Sequence, residues 1–215
     1  MIGRARWPAV AAAASFATSA LGTGLLHLSP NVFVAVWATV TVGVMAAWVL
    51  SEGWNPLVQL RRRWAWGLIV GVIAGVPLAL AITAGAGSAD GAGVGVGELL
   101  WLGLVRGAAD ATMLSVVPVL AFYGARPGDD LSHSSRIRMA GMALLASLII
   151  AAAYHPGFAE LRNASLVQSL VATLILTMAY LLSGSPIAPI VGQVIVDAAA
   201  LLHGAASAAP PSPHY

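Results

Sequence analysis

The apolar residues of this chain fall into seven runs, at about 8–28, 32–51, 65–86, 98–123, 138–154, 165–183 and 187–204. Most are close to the roughly 20 residues that an α-helix needs to cross a bilayer. Nothing else in the sequence constrains the fold as strongly. In hydrocarbon every backbone N–H and C=O must be satisfied by the protein itself, which restricts spanning structures to helices and closed barrels. The expected fold class is therefore all-α, a polytopic transmembrane helix bundle of about seven spans.

Composition agrees. The chain is 59% hydrophobic and 8% charged, with a mean hydropathy of +0.87. Soluble domains carry about a quarter charged residues, and so few charges cannot cover a surface that faces water. There is no Cys, which excludes disulfides, thiolate metal sites and Cys nucleophiles. All ten basic residues are Arg. With the excess of Ala and Gly, this suits a GC-rich bacterial genome and a bacterial inner membrane. The basic balance bears on topology, and no nucleic-acid partner is expected.

The first run follows Arg4 and Arg6, as a signal peptide would. It exceeds the 7–15 residues of a typical signal core, and another span follows at once. It reads as the first transmembrane helix. The breaks between runs are rich in Gly, Pro, Ser and Arg, for example "HLSPN", "SEGWNPLVQLRRR" and "GARPGDDLSHSSRIR". Residues 1–204 read as one transmembrane domain. The tail 205–215, "AASAAPPSPHY", reads as disordered.

Arg placement sets the orientation. With the N-terminus inside (cytoplasmic), Arg4, Arg6, Arg61, Arg62, Arg63, Arg126, Arg136 and Arg138 all fall inside. Only Arg162 falls outside, and Arg106 lies within a span. The Trp residues mostly read as interfacial anchors near span ends. Gly67, Gly71 and Gly75 step by four, as do Gly103 and Gly107, and such steps let helices approach closely inside a bundle. Pro77 and Pro118 are expected to kink their helices. No internal repeat is visible, so an inverted-repeat transporter gains no support.

Ionisable residues within spans carry the functional signal, because burying them in lipid is expensive. Glu98, Leu102, Arg106 and Asp110 follow at four-residue steps, and Arg106 with Asp110 suits an ion pair within one helix. Asp197 has Gln193 one turn before it. Both should face the bundle, and Arg106 is the cation at comparable depth. A contact between the fourth and seventh helices follows. Arg106, Asp110, Gln193 and Asp197 then form a polar bundle interior. Glu98, His155, His203 and His27 end or begin spans on one membrane face. Glu98, His155 and His203 are candidate ligands for a divalent metal such as zinc.

Three short stretches resemble the CPBP family of intramembrane proteases, the CAAX protease and bacteriocin-processing enzymes. In "GELLWLGL", Glu98 stands on the second of the family's two adjacent glutamates. Gly97 replaces the first, and Leu102 stands where an Arg would follow. In "AAAYH", His155 matches a Phe-x-x-x-His motif whose Phe is Ala151. In "GQVIVD", Asp197 matches the end of a His-x-x-x-Asn/Asp motif whose His is Gln193. The resemblance spans roughly residues 97–204. It implies a catalytic set of Glu98, His155 and Asp197, with a carboxylate activating water and His contacting a metal or oxyanion. The motifs are half replaced.

Three functions are open on these residues. One is a non-enzymatic, CPBP-like protein in the lipid bilayer that binds a membrane peptide or partner helix. The second is an intramembrane peptidase using Glu98 and His155. The third is a small transporter or proton-coupled protein using Arg106, Asp110 and Asp197 as a relay.

Overall fold

The structure, a computed structural model, describes residues 2–52, 60–61, 63–84, 94–123, 132–155 and 164–203. Among them there is no strand. Helix α1 covers Ile2–Ser19 and continues in wider turns over Ala20–Leu25. It is followed by α2 (Pro30–Glu52), α3 (Trp64–Ala84), α4 (Val96–Tyr123), α5 (His133–Tyr154), α6 (Ala164–Ser183) and α7 (Ile187–Leu202). Six of these are long and apolar enough to cross a membrane, and α7 is a shorter apolar helix of 16 residues. The chain is thus a helical membrane protein by the length and apolarity of its helices. The tail at 205–215 and Arg162 lie outside the described residues.

Local sequence sets several boundaries. Ser132 caps α5 by accepting the Ser135 N–H on its hydroxyl, so this helix starts at His133, five residues before the apolar run. Between α6 and α7 the turn is closed by Gly184, with φ of 65° and its N–H bonded to Tyr180 at 2.8 Å. A left-handed residue after a helix end is where Gly is favoured.

Two helices make the centre. From Arg106 to Ala121, only Ala108 and Thr112 of α4 are not buried. From Ile187 to Leu201, no residue of α7 is exposed. The glycine steps explain how α7 is held. A Cβ at Gly75 would lie 2.8 Å from the Gly192 backbone, and one at Gly71 would lie 2.6 Å from the Ala188 carbonyl. A Cβ at Gly107 would lie 3.0 Å from Val194 Cα. Both glycine series therefore receive α7, one from α3 and one from α4, as backbone-to-backbone packing within the bundle. On α3 the glycines and Ala79 form the buried stripe. Leu68, Ile69, Val72, Ile73, Val76 and Leu80 point outward.

Cross-contacts fix which ends share a face. Trp101 Nε1 donates to the Asn31 carbonyl at 3.2 Å, joining the starts of α4 and α2. Tyr123 donates to the Arg136 carbonyl at 2.9 Å, joining the end of α4 to the start of α5. Gly67 packs on Ser185, joining the start of α3 to the α6–α7 turn. One face therefore holds the starts of α3, α5 and α7, with Arg61, Arg63, Arg136 and Arg138. The distal face holds the starts of α2, α4 and α6.

The expectation for Trp needs correction. Trp7, Trp37 and Trp48 are buried at 7%, 0% and 2% exposure. They belong to the core cluster with Phe33, Met113 and Tyr154. Trp64 and Trp66 are exposed as interfacial anchors would be, and Trp54 lies outside the described residues.

Candidate functional site

Helix α4 is not uniform. Its backbone widens to i→i+5 turns over Leu99–Val105 and again over Thr112–Val116, with ordinary α-helix at Arg106–Ala111 between them. Such wide turns commonly mark functional sites. Here they frame the segment that carries Arg106 and Asp110. The wide first section also ends the simple four-residue register. Glu98 is exposed, whereas Leu102, Arg106 and Asp110 are buried.

Arg106 Nε stands 3.6 Å from Asp110 Oδ2, and the two residues are 6% and 5% exposed. The intrahelical pair read from sequence is therefore present. Asp110 Oδ1 accepts the Trp37 indole N–H of α2 at 2.6 Å. Tyr154 of α5 lies within electrostatic reach of Asp110 and Arg106. Tyr154 in turn stacks on Trp37, with ring centroids 4.7 Å apart and planes at 22°. Its other neighbour, His155, meets it edge-on at 5.6 Å. His155 Nδ1 lies 2.6 Å from the Ala151 carbonyl. A carbonyl only accepts, so Nδ1 carries the proton and Nε2 is left for other work.

From α7, Asp197 Oδ1 accepts the Gln193 amide at 2.9 Å. Asp197 Oδ2 has no donor among the described residues. It lies 3.1 Å from where a Gly107 Cβ would be, which places the carboxylate against α4 beside Arg106. Arg106 and both carboxylates are within electrostatic reach of one another. The expected contact of the fourth and seventh helices is thus present.

These side chains border one cavity of about 80 Å³. Its wall includes Arg106, Asp110, Tyr154, His155, Gln193 and Asp197, with Gln168, Ser169 and Thr173 of α6 and Ile82 of α3. Space for one water takes about 10–15 Å³ on the same measure, so several waters fit. The lining comes from the ends of α3, α5 and α7 and the start of α6, which puts the cavity in the distal half of the bundle.

The residues proposed from sequence divide here. Arg106, Asp110, Gln193 and Asp197 line the same cavity together with His155. Glu98 is not at the cavity. Its carboxylate accepts the Gly95 N–H at 3.2 Å on the exposed rim. His203 is exposed and bonded through Nδ1 to the Ala199 carbonyl at 2.8 Å. No group of three or more His, Asp or Glu fit to hold a metal occurs among the described residues. Sharing a membrane face sets the height of Glu98, His155 and His203 but not their lateral position.

Two members of the centre escaped the sequence reading, Trp37 and Tyr154. The signal was there for Trp37, because an indole N–H seven residues into a span needs an acceptor. The arrangement defines a multi-helix membrane protein with a hydrogen-bonded charge centre at the edge of a small polar cavity. Comparisons with protein-family models, curated proteins and solved structures give no match.

Proposed function

We propose that the protein is a small, non-enzymatic, proton-coupled membrane protein whose working centre is Arg106, Asp110 and Asp197. One observation carries this reading: a single guanidinium is enclosed with two carboxylates from two helices, beside a cavity large enough for water. Two carboxylates against one guanidinium leave one negative charge in a setting where net charge is expensive. A single proton removes it. Asp197 is the carboxylate with an oxygen that has no donor among the described residues, so it is the group assigned to carry that proton. His155, with Nε2 unassigned, stands where a proton passing between cavity and centre can be held.

The same reading places the chain in the bacterial inner membrane with seven spans and a cytoplasmic N-terminus. Its support is the Arg bias, with Arg61, Arg63, Arg136 and Arg138 on the face opposite the cavity. Because the chain has no Cys, single cysteines introduced at residues 27 and 136 report sidedness without background.

The interaction-protein reading has its own observation. An apolar groove of about 630 Å³ lies between α2 and α4, lined by Ala38, Thr41, Val42, Met45, Leu104 and Ala108 among others. A membrane peptide or partner helix with small side chains would fit such a surface. The peptidase reading rests on the CPBP-like motifs alone and needs Glu98, which is exposed on the rim.

Proton uptake by the purified protein after a pH jump tests the proton reading. Wild type should take up one proton that Asp197→Asn does not. Uptake that is unchanged in Asp197→Asn, or replaced by stoichiometric binding of Na+ without proton release, would overturn it.

A further inference from the structure

The cavity reaches the distal half of the bundle, and the residues below it are polar along one line. Helix α6 is apolar on most of its surface, yet Thr173, Thr177 and Tyr180 recur at steps of four and three. At 100° per residue these side chains fall on one narrow face. All three are buried, at 5%, 0% and 4% exposure. Thr173 lines the cavity. Thr177 donates to Ser115 of α4 at 2.9 Å, deep in the core. Ser183 continues the line, donating to the Tyr180 carbonyl at 3.3 Å, and accepts the Ser185 N–H at 3.1 Å. Ser185 packs on Gly67 at the face opposite the cavity.

Spacing decides what such a line can do. Four helical residues rise about 6 Å. Two hydroxyl hydrogen bonds in series span roughly 5.5 Å. Successive carriers on α6 can therefore be joined by one intervening hydroxyl or water. Ser115 supplies such a hydroxyl beside Thr177. Hydroxyls suit this task because each both donates and accepts, so a proton can enter on one side and another leave on the other. Carboxamides and backbone amides do not exchange roles in this way. No Asp, Glu, His, Lys or Arg stands on α6 between Thr173 and Ser185.

We infer that the hydroxyls of Thr173, Thr177 and Tyr180 on α6, with Ser115 of α4 and water between them, are the proton path from the centre toward the face opposite the cavity; Ser183 and Ser185, bonded to backbone groups, mark where that path reaches the α6–α7 turn. The inference rests on the proton reading of Asp197. The cavity gives access from the distal face, and the hydroxyl line gives access from the other. A proton arriving at one end displaces one at the other, so charge and hydrogen balance at every carrier.

Two readouts separate the path from the centre. Proton uptake by protein in detergent reports the centre. Dissipation of an imposed pH gradient by proteoliposomes, followed with a trapped pH dye, reports the path. Thr177→Val keeps the side-chain shape and removes the hydroxyl, and Thr177→Ser restores it. Thr177→Val is expected to slow dissipation about tenfold or more, the rate equivalent of losing one good hydrogen bond from the barrier. Uptake should stay at one proton, and Thr177→Ser should recover most of the rate. Ser115→Ala is the second variant and should slow dissipation in the same way. Folded Thr177→Val and Ser115→Ala with wild-type dissipation would overturn the path while leaving the centre standing. Absence of uptake in wild type would overturn both.

Discussion

Trp37 of α2 donates its indole N–H to Asp110 of α4 across 2.6 Å, in the interior of the bundle. The same indole stacks on Tyr154 of α5. One residue that no motif singled out thus ties three helices to the charge centre. A hydrogen bond to a charged group is worth more than a neutral one, and a carboxylate that loses its donor bears a desolvation penalty. Trp37→Phe keeps an aromatic ring and removes the N–H. It is expected to lower stability by about 1–3 kcal/mol, measured as unfolding of the protein in detergent. Wild-type stability in Trp37→Phe would show that the bond contributes nothing.

Glycine-to-alanine substitutions test how α7 is held. At Gly75 a Cβ would meet the Gly192 backbone at 2.8 Å, and at Gly107 it would meet Val194 Cα at 3.0 Å. Neither neighbour is a flexible side-chain tip. Gly75→Ala and Gly107→Ala should each destabilise by about 1–3 kcal/mol, as overpacking does. Gly141 has nothing within 4 Å of a Cβ, so Gly141→Ala should leave stability unchanged or slightly raised. Equal effects at the three positions would contradict the packing described.

The spans were legible because hydropathy acts on each helix separately. The α4–α7 contact was legible too, since a buried Asp197 needs a partner and Arg106 is the cation at its depth; the glycine steps announced close packing but not which helix they receive. For Trp37 the sequence shows only that its indole N–H needs an acceptor; which acceptor, and the role of Tyr154, depend on how α2 and α5 are turned toward α4. The wide turns in α4 were equally hidden. They break the four-residue register that linked Glu98 to Arg106, whereas the rim position of Glu98 follows from its place in the first turn of α4. Trp7 and Trp48 show the same limit, since nearness to a span end does not say whether an indole faces lipid or core.

The pair at the centre is expected to be cooperative. At a pH where Asp197 has released its proton, removing Arg106 alone leaves two buried carboxylates facing each other's field, which should cost about 3–5 kcal/mol. Arg106→Met combined with Asp197→Asn should lose less than the sum of the two single changes, because the second removes a charge that the first leaves unpaired. Strictly additive losses in unfolding measurements would mean that Asp197 and Arg106 do not interact.

Metal content checks the separation of Glu98, His155 and His203. Protein purified without chelator, and the variants Glu98→Gln and His203→Ala, should contain the same substoichiometric zinc by elemental analysis. One zinc per chain, lost in Glu98→Gln, would revive the peptidase reading and require a rearrangement that brings the rim to the cavity.

Proton flux tests the central claim most directly. Proteoliposomes holding wild-type protein should dissipate an imposed pH gradient faster than empty liposomes, and Asp197→Asn should return the rate to that of empty liposomes. Dissipation by folded Asp197→Asn at the wild-type rate, or none by wild type, would contradict a proton-coupled centre at Arg106, Asp110 and Asp197.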